Sequence, residues 1–210
     1  MNQKNGKNSL GLDSCFEDLD NPIELFEKWF AKAKQSEIND PNAVAVATAS
    51  KENQPNVRMV LLKGLSNKGF VFYTNFNSKK GTELKENQKA SLCFHWKSLR
   101  RQVRVIGKVE EVSKEEADDY YNSRPYKNRI GAWASSQSKK LDKRESFLEK
   151  IKDFEKKYPD EKNVPRPPYW SGWRVLPAEI EFWVDGEGRI HERLNYKNKN
   201  GKWEKGLLYP

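Results

Sequence analysis

From Asn21 onward the apolar positions first recur three and four residues apart. Leu25, Phe26, Trp29, Phe30 and Ala33 define one apolar face, which predicts a helix packed on a core. Asn21 suits its cap, Pro22 its first turn, and Glu24 can reach back to the cap. The period then drops to two. AVAVATA (43–49), VRMVLLK (57–63), FVFYT (70–74), ASLCFHW (90–96) and QVRVIGKVEEV (102–112) read as strands separated by polar or glycine-bearing turns. In the last of these, Val103, Val105, Gly107 and Val109 share a face. Short helices are predicted after Ser78 and after Ser113, where Ser113-x-x-Glu116 matches a capping box. A charged amphipathic helix is predicted over roughly 141–157, and VPRPPYW (164–170) reads as a rigid loop. IEFWV (180–184), RIHERL (189–194) and a segment around Trp203 complete the strands. Many antiparallel strands with few helices predict a mainly β fold with flanking helices, a closed or partly open barrel. Residues 1–20 read as a flexible segment and 21–210 as a single domain.

Composition sharpens this. At 36% hydrophobic and 12% aromatic residues the chain can fill a core, although 33% of it is charged. No apolar run approaches the ~20 residues of a membrane span, and MNQKNGKNSL has no apolar signal core. Cys15 and Cys93 are far apart and lack metal-ligand spacing. A cytoplasmic protein without disulfides or membrane contact is expected. The net charge is +9 and falls on the residues after 40, so anionic partners are expected, either small phosphates or nucleic acid.

Five clusters carry candidate chemistry. On a continuous strand Arg189, His191 and Arg193 would project from one face, a set suited to phosphate or carboxylate; an exposed basic strand is the plain alternative. Asn77-Ser78-Lys79-Lys80 follows a strand and opens a helix, where free backbone amides and two lysines attract phosphate. Tyr120 and Arg124, four apart on the helix predicted to end at Ser123-Arg124-Pro125, share one helical face, with an ordinary surface pair as the plain alternative. Arg58 and Lys63 bracket an apolar strand, and Trp133 to Ser138 offers amide and hydroxyl groups for a heterocycle's edge. The only histidines are His95 and His191, and neither a G-x-G-x-x-G after the first strand nor a phosphate-loop motif is present. Phosphate sites without an evident nucleophile and base point to chemistry done by a bound cofactor.

Taken together, RMVLLK (58–63), FYTN (72–75), SKK (78–80), RQVRVIGKVE (101–110), SRP (123–125), IGAWASSQS (130–138) and EFW-x5-RIHER resemble the pyridoxamine 5′-phosphate oxidase family, from about Asn21 to Pro210. The resemblance implies an FMN-binding split β-barrel, antiparallel and Greek-key-like, and a homodimer with two FMN sites between its subunits. It implies FMN contacts at Arg58, Met59, Val60, Leu61, Leu62, Lys63, Tyr73, Thr74, Lys79, Lys80, Gln102, Gln137, Ser138, Trp183 and Arg193. It places the phosphorylated pyridine on Lys63, Tyr120, Arg124, Asn128, Arg189 and His191, the last two as catalytic groups. The implied reaction oxidises pyridoxamine or pyridoxine 5′-phosphate to pyridoxal 5′-phosphate with oxygen, releasing hydrogen peroxide, and ammonia from the amine.

The sequence departs from the family's habit in places. Residues 1–20 hold no Arg and no Tyr where the family commonly carries an Arg-x-x-Tyr element covering the substrate. Asn128 stands where a serine is common, Val184 where glutamine is frequent, and the chain ends Leu207-Leu208-Tyr209-Pro210 rather than with an arginine-bearing motif. Two other readings compete. One is a split-barrel flavoprotein that acts as a reductase or carries pyridoxal phosphate. The other is a basic β-barrel that binds RNA, with affinity falling steeply as salt rises.

Overall fold

A computed structural model describes residues 16–210. Helix α1 (Pro22–Ser36) begins as its sequence predicts. The Asn21 side chain accepts from the Ile23 amide at 3.0 Å, and the amide group of Asn21 meets the Glu24 carboxylate at 3.4 Å. Nine strands follow: β1 (Ala43–Ala49), β2 (Pro55–Leu61), β3 (Gly64–Ser66), β4 (Gly69–Asn75), β5 (Lys89–Trp96), β6 (Arg101–Glu111), β7 (Trp170–Val184), β8 (Glu192–Lys199) and β9 (Lys202–Leu207). All pair antiparallel, in the order β2-β1-β5-β6-β7-β4-β3, with β8 joined to the far half of β7 and β9 to β8. Helices α2 (Lys79–Glu86), α3 (Lys114–Asn122), α4 (Tyr126–Ala134) and α5 (Arg144–Lys157) flank the curled sheet.

Strand β7 organises the molecule. One edge pairs with β6 along most of its length; the other pairs with β4 over residues 170–175 and with β8 over 179–184. The sheet therefore divides where β7 passes Pro177, which cannot donate to a ladder. The register slips there, between Ile106 and Gly107 of β6. A Cβ at Gly107 would sit 1.9 Å from the Leu176 carbonyl oxygen, so only glycine lets the two backbones close at this bulge.

The core lies inside the curl. Val103, Val105 and Val109 are buried on one face of β6, and Leu25, Phe26, Trp29 and Ala33 of α1 seal the opening. Phe26 packs edge-on to Phe70 and Phe94, each 4.9 Å away between ring centres. Residues 1–15 of the segment read as flexible lie outside the described residues. Residues 16–20 are held: Phe16 stacks on Trp29 at 5.7 Å, and Tyr196 Oη donates to the Leu19 carbonyl at 2.8 Å.

Four boundaries differ from the sequence reading. Strand β7 starts ten residues before Ile180, β3 and α4 were not anticipated, and β2 ends at Leu61, leaving Leu62 and Lys63 in the turn. The largest change concerns 189–194. Glu187–Arg189 forms a 3-10 turn, Arg189 sits at φ +66°, and β8 begins only at Glu192. Strand alternation therefore does not align Arg189, His191 and Arg193. Gly188, at φ +63°, turns the chain before the ladder can start.

Candidate active site

A cleft of about 610 Å³ opens between β2, the end of β4 and helices α3 and α4. It gathers residues from four separated segments: Met59, Val60, Leu61 and Lys63; Tyr73, Thr74 and Lys80; Tyr120, Arg124 and Asn128; and Gln137. Four of the six substrate positions expected from the resemblance, Lys63, Tyr120, Arg124 and Asn128, thus share one cavity.

Its floor is aromatic. Tyr73, Tyr120 and Trp170 cluster with near-parallel rings, Tyr73 lying 4.0 Å from Tyr120 and 5.4 Å from Trp170 and the latter two 6.1 Å apart, and the Arg124 guanidinium lies 4.6 Å over the Trp170 ring. Helix α3 ends at Asn122, so Arg124 leaves the helix rather than continuing Tyr120's face; the shared stack brings the pair together instead. Among the described residues Arg124 Nη1 is buried without a hydrogen-bond partner, and burial holds the guanidinium below its ordinary pKa. An orphaned buried cation of this kind calls for an anion. Trp170 was not anticipated as a site residue. Its only signal in the sequence is its place between the proline-rich run and the following strand.

The other end of the cleft is built by α2. Ser78 caps it, accepting from the Gly81 amide at 3.3 Å. Lys80 Nζ reaches three neutral oxygens: Thr74 Oγ1 at 3.0 Å, Gln137 Oε1 at 3.0 Å and Ser78 Oγ at 3.5 Å. Burial, and then the nearby Arg58 guanidinium, push its ammonium down to about 8. Arg58 is itself fixed by Glu83, a carboxylate only 3% exposed, which also accepts from Asn56 at 2.6 Å and from Thr48. Nothing along the sequence marks Glu83, because its partners sit on β1 and β2. Lys79 and Ser138 are exposed beside the cleft and Leu62 is buried behind it.

The remaining expected residues form a second group at the opposite end of β7. Gln102, Trp183 and Arg193 stand in one row across β6, β7 and β8, since Gln102 pairs with Trp183 and Trp183 with Arg193. Arg193 donates through Nε to Glu181 at 2.9 Å and through Nη1 to the Tyr209 carbonyl at 2.8 Å. Buried Glu181 also accepts from Arg104 at 3.0 Å. Above the row His191 packs on Trp183, 4.6 Å between ring centres, and Arg189 is exposed at the loop tip. None of this second group lines the cleft. Gly172, opposite Tyr73, and Trp183 are separated by about 35 Å of strand at the usual rise.

Comparisons with known proteins bear on the family and the fold. The pyridoxamine 5′-phosphate oxidase family profile matches residues 30–158, and the profile of the pyridoxine 5′-phosphate oxidase C-terminal dimerisation region matches 170–210. A pyridoxine/pyridoxamine 5′-phosphate oxidase of Pelagibacter ubique is 58% identical over 98% of this chain and 100% of its own length. One from Sinorhizobium fredii is 52% identical over 93% of this chain and 95% of its own. Among solved structures, PhzG from Burkholderia lata, in complex with tetrahydrophenazine-1-carboxylic acid, superimposes with a TM-score of 0.86 at 29% identity, covering 92% of this chain and 95% of that one. A pyridoxamine 5′-phosphate oxidase-related, FMN-binding protein from Nostoc punctiforme shares the fold at a TM-score of 0.71 and 16% identity, over 88% of this chain and 97% of that one. The chain belongs to the pyridoxamine 5′-phosphate oxidase family.

Proposed function

We propose that this protein is an FMN-dependent oxidase that converts pyridoxamine or pyridoxine 5′-phosphate to pyridoxal 5′-phosphate, in a homodimer whose sites each draw on both subunits. The observation that carries the reading is the cleft itself: two separate cationic ends, Lys80 and Arg124, each lacking an anionic partner among the described residues, on either side of an aromatic floor. Two phosphorylated aromatic ligands fit that charge pattern. One RNA strand would instead need a continuous basic track. Homology over nearly the whole chain to named oxidases sets the oxidase above a reductase or a carrier. Among the described residues no helix is long and apolar enough to cross a membrane, and we place the protein in the cytoplasm.

Within this reading Lys80, Arg58, Thr74 and Gln137 hold the FMN phosphate and ring edge, with the backbone of 59–62 beside them. Bound FMN supplies hydride acceptance and reoxidation by oxygen. Lys63, Arg124, Tyr120 and Asn128 anchor the substrate phosphate, which orients the exocyclic carbon before reaction. Gln102, Trp183 and Arg193, with Arg189 and His191, are supplied by the partner subunit, a reading supported by their absence from this chain's own cleft and by the match of residues 170–210 to a dimerisation region. Residues 21–210 then act as one domain carrying both halves of two sites.

The test is anaerobic addition of pyridoxamine 5′-phosphate to the purified yellow protein. The flavin absorbance should bleach, and readmitted oxygen should restore it with one pyridoxal 5′-phosphate per FMN. Colourless protein that takes up no added FMN, or flavin that substrate does not bleach, would overturn the reading.

Lys80 adds a pH signature. A phosphate beside it favours the ammonium, so its pKa rises from about 8 when FMN binds. Below pH 8 the lysine is already charged and affinity is flat. Above pH 8 binding must take up a proton, so the Kd should rise by up to ~tenfold per pH unit. Fluorescence titration of the apoprotein checks this, and Lys80→Met should abolish the slope. A flat wild-type profile between pH 7 and about 9.5 would contradict the placement of Lys80 on the phosphate.

A further inference from the structure

The loop 185–191 carries Arg189 and His191, and it is tied down at its base by one residue that no motif marks. The Asp185 amide donates to the Arg100 carbonyl at 3.0 Å. Its carboxylate accepts from Arg100 through both Nε, at 2.7 Å, and Nη2. Arg100 can reach it because the turn between β5 and β6 places that residue at φ +51°. The other Asp185 oxygen lies 3.1 Å from His191 Nδ1. A Cβ at Gly186 would meet the Ile190 carbonyl at 1.9 Å, so the loop closes tightly enough to bring positions 185 and 191 together.

His191 Nδ1 has two claimants. The Gly186 amide points at it from 3.2 Å, which demands a bare Nδ1 and puts the proton on Nε2. The Asp185 carboxylate, within ion-pair distance of Nδ1, favours the reverse, a proton on Nδ1, although only the Gly186 contact has hydrogen-bond geometry in this structure. A hydrogen bond to a carboxylate is roughly twice as strong as a neutral one. Arg100 keeps that carboxylate ionised, holding it below the usual range. Among the described residues Nε2 has no hydrogen-bond partner, while the ring's face rests on Trp183.

We infer that Asp185 is a positioning residue that fixes the proton of His191 on Nδ1, so that the outward Nε2 presents a lone pair to an O–H or N–H donor of the substrate. The inference rests on the proposed function for the substrate but not for the tautomer. Which nitrogen carries the proton follows from what the other one bonds to. With Asp185 in place, His191 is an acceptor toward the reacting group; without it, the Gly186 amide takes Nδ1 and the outward nitrogen becomes a donor.

The chain has two histidines, so nitrogen NMR of histidine-labelled holoprotein at pH 8 resolves His191, with His191→Ala assigning the signals. Wild type should show His191 protonated on Nδ1, and Asp185→Ala should move the proton to Nε2. Arg100→Met breaks the loop's tether yet leaves the carboxylate in place, and should keep the Nδ1 proton. A wild-type His191 protonated on Nε2 overturns the inference, even if Asp185→Ala does not fold. So does a tautomer unchanged in Asp185→Ala.

Kinetics supply the second arm. Asp185→Ala should slow single-turnover flavin reduction at saturating substrate roughly tenfold, with FMN affinity unchanged. In a His191→Ala background it should add nothing. Independent, multiplying effects would show that Asp185 acts on the loop and not through His191. If His191→Ala alone reduces its flavin at the wild-type rate, the placement of His191 on the substrate falls, and the substrate part of this inference falls with it. The NMR result would then stand as a separate fact about the loop.

Discussion

Arg189→Ala is expected to fold, dimerise and bind FMN normally, yet to reduce its flavin about 10²- to 10³-fold more slowly. Arg189 is exposed at the tip of the 185–191 loop and makes no hydrogen bond or ion pair with the described residues. Its removal therefore takes nothing from the core. Its left-handed backbone, with φ +66°, is sparsely populated for a residue with a side chain and persists because Gly188 and the Ile190-to-Glu187 hydrogen bond hold the turn. The guanidinium is thus left exposed on a fixed turn. Over the substrate of the partner's cleft it would hold the ring and stabilise developing charge. Anaerobic stopped-flow reduction at saturating pyridoxamine 5′-phosphate measures the effect. A wild-type rate would remove Arg189 from the reacting centre, and lost FMN would assign it to the cofactor instead.

Val57→Glu is expected to dissociate the dimer and, with it, to release FMN. Strand β2 lies at the edge of the sheet and turns Val57, Met59 and Leu61 outward, the first two 69% and 62% exposed. A row of apolar side chains on an edge strand is an aggregation hazard unless another chain covers it. Val57 is not itself assigned to FMN or substrate, but Arg58 and Met59 beside it are, so flavin loss counts as an assembly effect only where it accompanies dissociation on the same trace. An uncompensated buried carboxylate costs several kcal/mol, enough to raise the dimer Kd about 10³-fold or more. Light scattering coupled to size exclusion, with flavin absorbance on the same trace, reads both quantities. A flavin-loaded monomer would show that each site lies within a single subunit.

The sequence was legible where one element sets its own pattern. The period-two runs of β1, β5 and β6 mark strands because one face of each is buried, the continuous apolar run of β4 because both faces are, and the caps at Asn21, Ser78 and Ser113 form as their residue types require. It was illegible where an element depends on distant partners. Half of β7 hides in a stretch with prolines, because Pro177 reads as a breaker until the bulge against Gly107 accommodates it. The strand expected at Arg189 fails for the opposite reason: its residue types allow a ladder, but Gly186 and Gly188 close a tight loop first. Glu83, Glu181 and Asp185, which fix Arg58, Arg193 and His191, carry no local signature at all. Their roles come from tertiary contacts: Glu83 reaches from α2 to β1 and β2, Glu181 from β7 to β8, and Asp185 across its loop and to the β5–β6 turn. The expected site residues themselves were found by family resemblance, and the fold sorts them into two groups at opposite ends of β7.

That sorting is tested most directly by mixing defective subunits. Lys80→Ala damages the cleft, and Arg193→Ala damages the row on β8 that the account places in the partner's site. Each homodimer should make little pyridoxal 5′-phosphate at limiting FMN. Co-expressed in equal amounts, half the dimers are mixed, and each mixed dimer holds one site with both defects and one with neither. About a quarter of wild-type, FMN-dependent activity should return. Activity no higher than the parents' average would place Lys80 and Arg193 in the same subunit's site, or Arg193 in none, and would contradict the account.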